Sequence, residues 1–303
     1  FRRRWTRFMG NLIAERRAKG TGDAAPRDLF DLMVAARDPE TNEAFTDEQL
    51  GDQVSTMILA GHETTALALS WTFHLLAQHP EVERALAREL SDVLGDREPT
   101  VADLPHLKLT ERVVLETLRL YPPAYFFGRT AARETDLGGY SLPRFTNVLL
   151  SPWVLHHNPR VWEHPERFDP DRFLPEAVAA RHPHAYHPFG LGIRSCIGFQ
   201  FALVEARMVL AMLYQRYRFR LAEPACRHVV VRRAKHADQL ALHQASIASS
   251  AAARSSRAAP TDLKSVMLVV SPGRRPVCWP RASSNRSPIT SSSSIVSRSE
   301  EHT

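Results

Sequence analysis

A single uninterrupted helical pattern from Asp47 to Gln78 limits the fold more than any other feature of the chain. It runs for about 32 residues, or about 48 Å at the α-helical rise, enough to cross an entire domain. Thr46 and Gln49 have the spacing of a capping box at its start, and Pro80 stops it. Everything else must pack around one long rod. Within the rod, residues 54–77, VSTMILAGHETTALALSWTFHLLA, are the candidate for a membrane span. His62, Glu63, Thr64 and Thr65 interrupt its middle, where a polar cluster is costly in lipid. A buried core helix is expected there, and no membrane segment.

The flanking segments are helical too. Residues 1–20 read as the end of a basic amphipathic helix, 28–36 as a short helix and 38–49 as a loop that ends in the start of the rod. Residues 80–95 form a helix with proline at its start and glycine at its end, and 107–120 another, ended by Pro122 and Pro123. Then the texture changes. GRTAA (128–132) and TNVLLS (146–151), around the turn-rich GGYSLP, read as strands of a small sheet. The proline-rich stretch 159–176 reads as a long ordered loop, and 197–217 as a strong amphipathic helix. The expected class is mainly α with a small β region.

Charge separates the folded part from the tail. Residues 1–222 hold 27 Lys and Arg against 28 Asp and Glu, while residues 223–303 hold 12 against 5. The basic character belongs to the tail, so no nucleic-acid partner is expected for the folded part. Residues 246–303 contain 16 serines, with alanine, arginine and proline filling in, a composition that cannot offset chain entropy by burial. The expected organisation is a folded domain over 1–222, a degenerate remnant of a β region over 223–245 and a low-complexity, disordered tail over 246–303. Three cysteines at long spacings, Cys196, Cys226 and Cys278, make no disulfide framework and point to a reducing, cytoplasmic setting. The chain begins at Phe1, which reads as a fragment or a processed product.

The chemistry concentrates in FGLGIRSCIG, residues 189–198. Cys196 stands at the edge of the 197–217 helix, where unpaired amides and the helix dipole favour a thiolate. Gly190, Gly192 and Gly198 let the backbone turn tightly and approach a flat object, and Arg194 adds a cation that can meet carboxylates on it. A thiolate on a rigid, glycine-lined loop suits an axial metal ligand; the alternative is a buried structural cysteine. In AGHETT (60–65), Ala60 and Gly61 remove bulk, and Thr64 can turn its hydroxyl to a backbone carbonyl beside the acid Glu63. HETTA begins like a zinc-protease motif, but Ala66 replaces the second histidine. His156, His157, His182, His184 and His187 match no common zinc spacing. Glu116 and Arg119 lie one helical turn apart and can pair; buried, they need a third group.

Phe189, Gly192, Arg194, Cys196 and Gly198 match F-x-x-G-x-R-x-C-x-G, and in this the chain resembles the cytochrome P450 family of haem-thiolate monooxygenases. AGHETT, ETLR (116–119), GRTA (128–131) and FDPDRF (168–173) resemble further family motifs in the right order, so the match covers residues 1 to 222. The resemblance implies a cytochrome P450 fold truncated at its N-terminus and a haem b whose iron takes its axial thiolate from Cys196. Arg194 and Arg129 would neutralise the propionates, and Phe189, Gly192, Gly198, Ala60 and Gly61 would border the cofactor. Glu63 and Thr64 would handle protons. Glu116, Arg119 and Arg172 would form a structural network, with Arg167 a decoy earlier in the same loop. Ala124, Tyr125, Phe126 and Phe127 would face a lipophilic substrate. No nucleotide-binding fingerprint is present, so electrons would come from a separate redox partner, a ferredoxin or a flavoprotein reductase. Two other readings remain: a non-catalytic or haem-deficient fragment, and a peroxide-using haem-thiolate enzyme, against which Glu63 and Thr64 argue.

Overall fold

The computed structural model describes residues 2–20 and 25–221, with the backbone of Val229–Arg233 and Leu268–Val269. Eight α-helices and short strands alternate with 3₁₀ turns: α1 (Arg2–Lys19), α2 (Leu29–Ala35), α3 (Asp47–Gln78), α4 (Pro80–Leu94), α5 (Lys108–Leu120), α6 (Pro152–His156), α7 (Pro175–Ala180) and α8 (Phe199–Arg216). The mainly helical class with a small β component is what the patterning implies.

The long rod is α3, 32 residues without a break. Its capping box is complete: the Gln49 amide donates to Thr46 Oγ1 at 3.2 Å and the Thr46 amide to Gln49 Oε1 at 2.9 Å. The expectation of a buried helix holds for only part of it. Trp71, Thr72, Phe73, His74, Leu75 and Leu76 are all buried, whereas every residue from 58 to 64 is exposed. The buried end meets Leu86, Leu90 and Leu94 of α4, spaced one turn apart, with Val113, Val114 and Leu118 of α5 and Leu210, Ala211 and Tyr214 of α8. Phe73 stacks on Phe219 at 4.3 Å between ring centroids, which ties the strand β5 (Tyr217–Leu221) to the same core. A smaller core joins Met9 and Ile13 of α1 to Leu50 and Val54 near the start of α3. Among the described residues no helix is long and apolar enough to cross a membrane.

The β region holds more than two strands. β1 (Phe127–Thr130) pairs antiparallel with β4 (Asn147–Leu150), as expected. The GGYSLP segment is not merely a turn: β2 (Thr135–Leu137) and β3 (Tyr140–Leu142) form a hairpin of their own. Its two-residue loop is Gly138–Gly139, with φ of 61° and 86°. Positive φ at both positions matches the twist of the flanking strands and requires glycine-like freedom. β5 continues from α8 and pairs antiparallel with β6 (Val229–Arg233), which pairs parallel with β7 (Leu268–Val269). The other readings for 223–303 lie outside the described residues. The 159–176 loop is ordered by a 3₁₀ turn, Pro170–Phe173, and by the start of α7.

The two ends of α3 predict different costs for the same deletion. Leu76 is wholly buried and Leu59 is 69% exposed. Leu76→Ala should lose about 2–5 kcal/mol and Leu59→Ala less than about 0.5 kcal/mol, read as shifts in urea midpoint.

Candidate functional site

The thiol loop is built from backbone bonds. Phe189 packs against the main core, and its carbonyl accepts the Cys196 amide at 2.8 Å. The Gly190 amide donates to the His187 carbonyl at 3.2 Å, and the Ser195 amide to the Gly192 carbonyl at 3.0 Å. Gly190 and Gly192 have φ of 74° and 71°, where a side chain is strained. α8 begins at Phe199 with Gly198 as its N-cap, later than the pattern implied, so Cys196 precedes the cap rather than opening the helix. The Cys196 thiol is free and exposed. Arg194 and Gly192 lie in a 3₁₀ turn and are exposed as well.

On α5 lies a buried ion pair. Glu116 and Arg119 have no exposed side-chain surface. Arg119 Nε donates to Glu116 Oε2 at 2.7 Å and Nη2 to Oε1 at 2.9 Å. Nη1 donates to the carbonyls of His156 at 2.8 Å and Pro165 at 2.7 Å, and Nη2 also to that of Arg167 at 3.1 Å. A guanidinium has five N–H donors, and all five are satisfied. Glu116 Oε1 also accepts the Asp169 amide at 2.9 Å. Burial pushes the Glu116 carboxyl up from its usual range, and Arg119, the Asp169 amide and Arg172 pull it back. Arg172 is close but looser than a full partner: its Nε lies 3.6 Å from Glu116 Oε1 without a hydrogen bond, and its Nη2 donates to the His164 carbonyl. The Arg167 side chain is largely exposed, yet its backbone carbonyl belongs to the network.

The sequence pattern passed over His156. Its carbonyl accepts from Arg119, and its ring Nδ1 meets the Arg119 carbonyl at 3.2 Å, so the two residues clasp each other. Ring Nε2 accepts the His187 amide at 3.1 Å. Tyr186 Oη donates to the Leu115 carbonyl at 2.8 Å, one turn earlier on α5. Desolvation lowers the His156 pKa from 6.5 to about 3, with His187, Arg119 and His157 adding repulsion.

The remaining candidates sit at the surface. On α3, Thr64 Oγ1 donates to the Ala60 carbonyl at 2.7 Å, while the helix stays unbroken. Glu63, Ala60 and Gly61 are exposed. Ala124, Tyr125 and Phe126 are exposed just beyond the end of α5, and the Tyr125 and Phe126 rings meet edge to face at 4.8 Å. Arg129 is exposed on β1, its guanidinium 5.2 Å from the centre of the half-buried Phe127 ring. Sequence spacing brings Glu116 and Arg119 together; the fold adds Arg172, and the residues at 60–64, 124–129 and 189–198 stay on separate elements.

The residues present fit a haem. A Cβ at Gly61 or Gly192 would meet nothing within 4 Å, so small residues there leave open space that the chain's own packing does not use. Ile197, next to Cys196 in the chain, is 84% exposed and Phe201, in the first turn of α8, 68% exposed, apolar side chains suited to a flat macrocycle. A thiol donor and two exposed arginines, Arg129 and Arg194, complete a set for an iron-bearing ring with carboxylates.

A family model described as Cytochrome P450 matches residues 2–240. Cyclooctat-9-en-7-ol 5-monooxygenase of Streptomyces melanosporofaciens is 42% identical over 72% of this chain and 47% of its own length. Pentalenene oxygenase of Streptomyces avermitilis is 41% identical over 65% of this chain and 43% of its own length. The crystal structure of the cytochrome P450DA heme domain superposes with a TM-score of 0.68 at 37% identity, over 73% of this chain and 49% of that one. The chain thus spans about half the length of the relatives it matches.

Two outcomes follow from the buried network. His156 stays neutral in the fold and gains a proton when unfolded, so between pH 6.5 and 3 the unfolded state binds more protons and stability falls as pH falls. His157 and His187, also lowered by burial, add to the same limb. Asp31 and Asp103 are held below the usual carboxylate range, so their contributions fade only at lower pH. Urea midpoints should drop from pH 7 to pH 5, and His156→Gln should flatten that slope. Separately, Arg172→Ala should cost about 1–3 kcal/mol, while Arg167→Ala, which keeps its carbonyl, should be close to neutral by the same assay.

Proposed function

The chain belongs to the cytochrome P450 family, and from that premise we propose that it holds haem b through Cys196 and serves the insertion of one oxygen atom into a lipophilic organic substrate, with electrons from a separate redox partner. The observation that carries this reading is the free, exposed Cys196 on a loop held by backbone hydrogen bonds, next to apolar residues that the chain leaves uncovered. When bound, haem supplies dioxygen activation and oxygen-atom transfer, the second atom leaving as water.

The chain's own residues supply the setting. Cys196 Sγ would hold the iron. Arg194 and Arg129 would meet the carboxylates of the group, and Phe189, Gly192 and Gly198 would shape the loop that receives it. Ala60 and Gly61 keep α3 free of bulk for the same purpose. Thr64 Oγ1 donates its proton to the Ala60 carbonyl at 2.7 Å, which leaves its lone pairs free to accept a hydrogen bond. Glu63, exposed one residue earlier on the same helix, would exchange protons with solvent at its carboxylate. Tyr125 and Phe126, with Ala124 and Phe127, offer an apolar edge that fits a lipophilic substrate. Relatives named as a monooxygenase and an oxygenase support the reaction class.

The optical spectrum of the reduced, carbon-monoxide-bound protein tests this reading. A Soret band at the shifted position of thiolate ligation is expected. Cys196→Ser should abolish it, while Cys226→Ser and Cys278→Ser should leave it intact. A band at the position of histidine ligation in freshly prepared protein would overturn the assignment.

A further inference from the structure

His156 lies outside every motif of the chain, yet it touches both the buried clamp and the backbone that leads into the thiol loop. Its Nδ1 faces a carbonyl, that of Arg119 at 3.2 Å, so the proton must sit on Nδ1. Its Nε2 faces an amide, that of His187 at 3.1 Å, so Nε2 must carry a lone pair. The network therefore fixes one neutral tautomer. A protonated ring would set an N–H against the His187 N–H, and burial opposes that charge. The ring cannot swing away: it stacks on Tyr186 at 5.2 Å and meets Trp162 edge-on at 6.4 Å.

A buried histidine is commonly a satisfied core residue and no more. This one differs in where its two bonds go. One ends on the last turn of α5, whose carbonyls have no helical partner ahead of them. The other ends on the backbone that leads into Phe189. From His187 the path continues: its carbonyl accepts the Gly190 amide at 3.2 Å, and the Phe189 carbonyl accepts the Cys196 amide at 2.8 Å. Hydrogen bonds joined by short stretches of backbone thus lead from Arg119 to the residue that bears the thiol.

We infer that His156 is a positioning residue for the Cys196 loop, its ring joining the end of α5 to the His187 backbone and so fixing where the thiol stands relative to the Glu116–Arg119 clamp. The relevance to haem rests on the reading of Cys196 as ligand; the positioning itself does not. A glutamine side chain offers a donor and an acceptor and can replace the ring in part, whereas phenylalanine keeps the shape and loses both bonds.

Amide hydrogen exchange on the whole chain, without added haem, tests the inference. In His156→Phe, protection at His187 and Cys196 should fall about tenfold, the scale of one lost hydrogen bond, while amides in α4 and α8 keep theirs. His156→Gln should recover part of the loss. In haem-loaded protein, His156→Phe should move part of the carbon-monoxide Soret band from the thiolate to the unshifted position. Unchanged protection over 185–196, a uniform loss across α4 and α8, or a glutamine variant no better than phenylalanine would overturn it. A measurement without substitution is the ¹⁵N shift of the His156 ring at pH 7, where the Nδ1–H tautomer is expected and the Nε2–H tautomer would contradict the proposal. If wild-type protein shows no thiolate-ligated haem, the reading of Cys196 fails while the exchange data still decide the role of His156.

Discussion

A guanidinium shut away from water must find a partner for every N–H, because each one left over costs the desolvation of a charged donor. Arg119 meets that demand with one carboxylate and three backbone carbonyls, drawn from α6 and from the loop between α6 and the 3₁₀ turn. Trp162 lies against its face, with the guanidinium carbon 5.0 Å from the ring centre. The carbonyls of His156, Pro165 and Arg167 cannot move independently once they share one rigid fork. A segment with little regular structure of its own is thereby held against α5. The thiol loop hangs from the same place, through Tyr186 on the Leu115 carbonyl and His156 on the Arg119 carbonyl.

The second constraint is the division of α3. One helix serves as core at its C-terminal end and as an open wall at residues 58–64. The core end fixes the rod against α4, α5 and α8, so the open end is positioned without being covered. Small residues at 60 and 61 and a hydroxyl folded back onto the Ala60 carbonyl then make a thin, locally polar surface. α8 packs on the same core and carries the thiol loop at its start, which relates Cys196 to that wall through rigid elements rather than through loops.

Much of this was legible in the sequence because it depends on side chains at fixed spacing. Thr46 with Gln49 announces the start of α3, and Glu116 with Arg119 an i, i+3 pair; both form as the spacing implies. The glycines at 190 and 192 do take the backbone shapes that only glycine takes easily. What was hidden depends on the backbone. The Asp169 amide completes Glu116, and the carbonyls of Pro165 and Arg167 complete Arg119, but an amide or a carbonyl leaves no mark on residue identity. Arg172, identified by its aromatic flanks, contributes less hydrogen bonding than those anonymous groups. The role of His156 leaves no pattern in the sequence either, because its ring bonds only to main-chain atoms. The open stretch of α3 was hidden for another reason: apolar composition is the same whether a helix faces a core or an uncovered wall.

The account rests on Glu116 and Arg119 acting as one unit, and a double-mutant cycle measures that directly. With Glu116→Leu, Arg119→Met and the double variant compared by urea unfolding, each single change should cost about 3–5 kcal/mol, because it strands a buried partner. The double variant should be no less stable than the worse single, a coupling of about 3 kcal/mol or more. Costs that simply add, leaving no coupling between the two positions, would contradict the account.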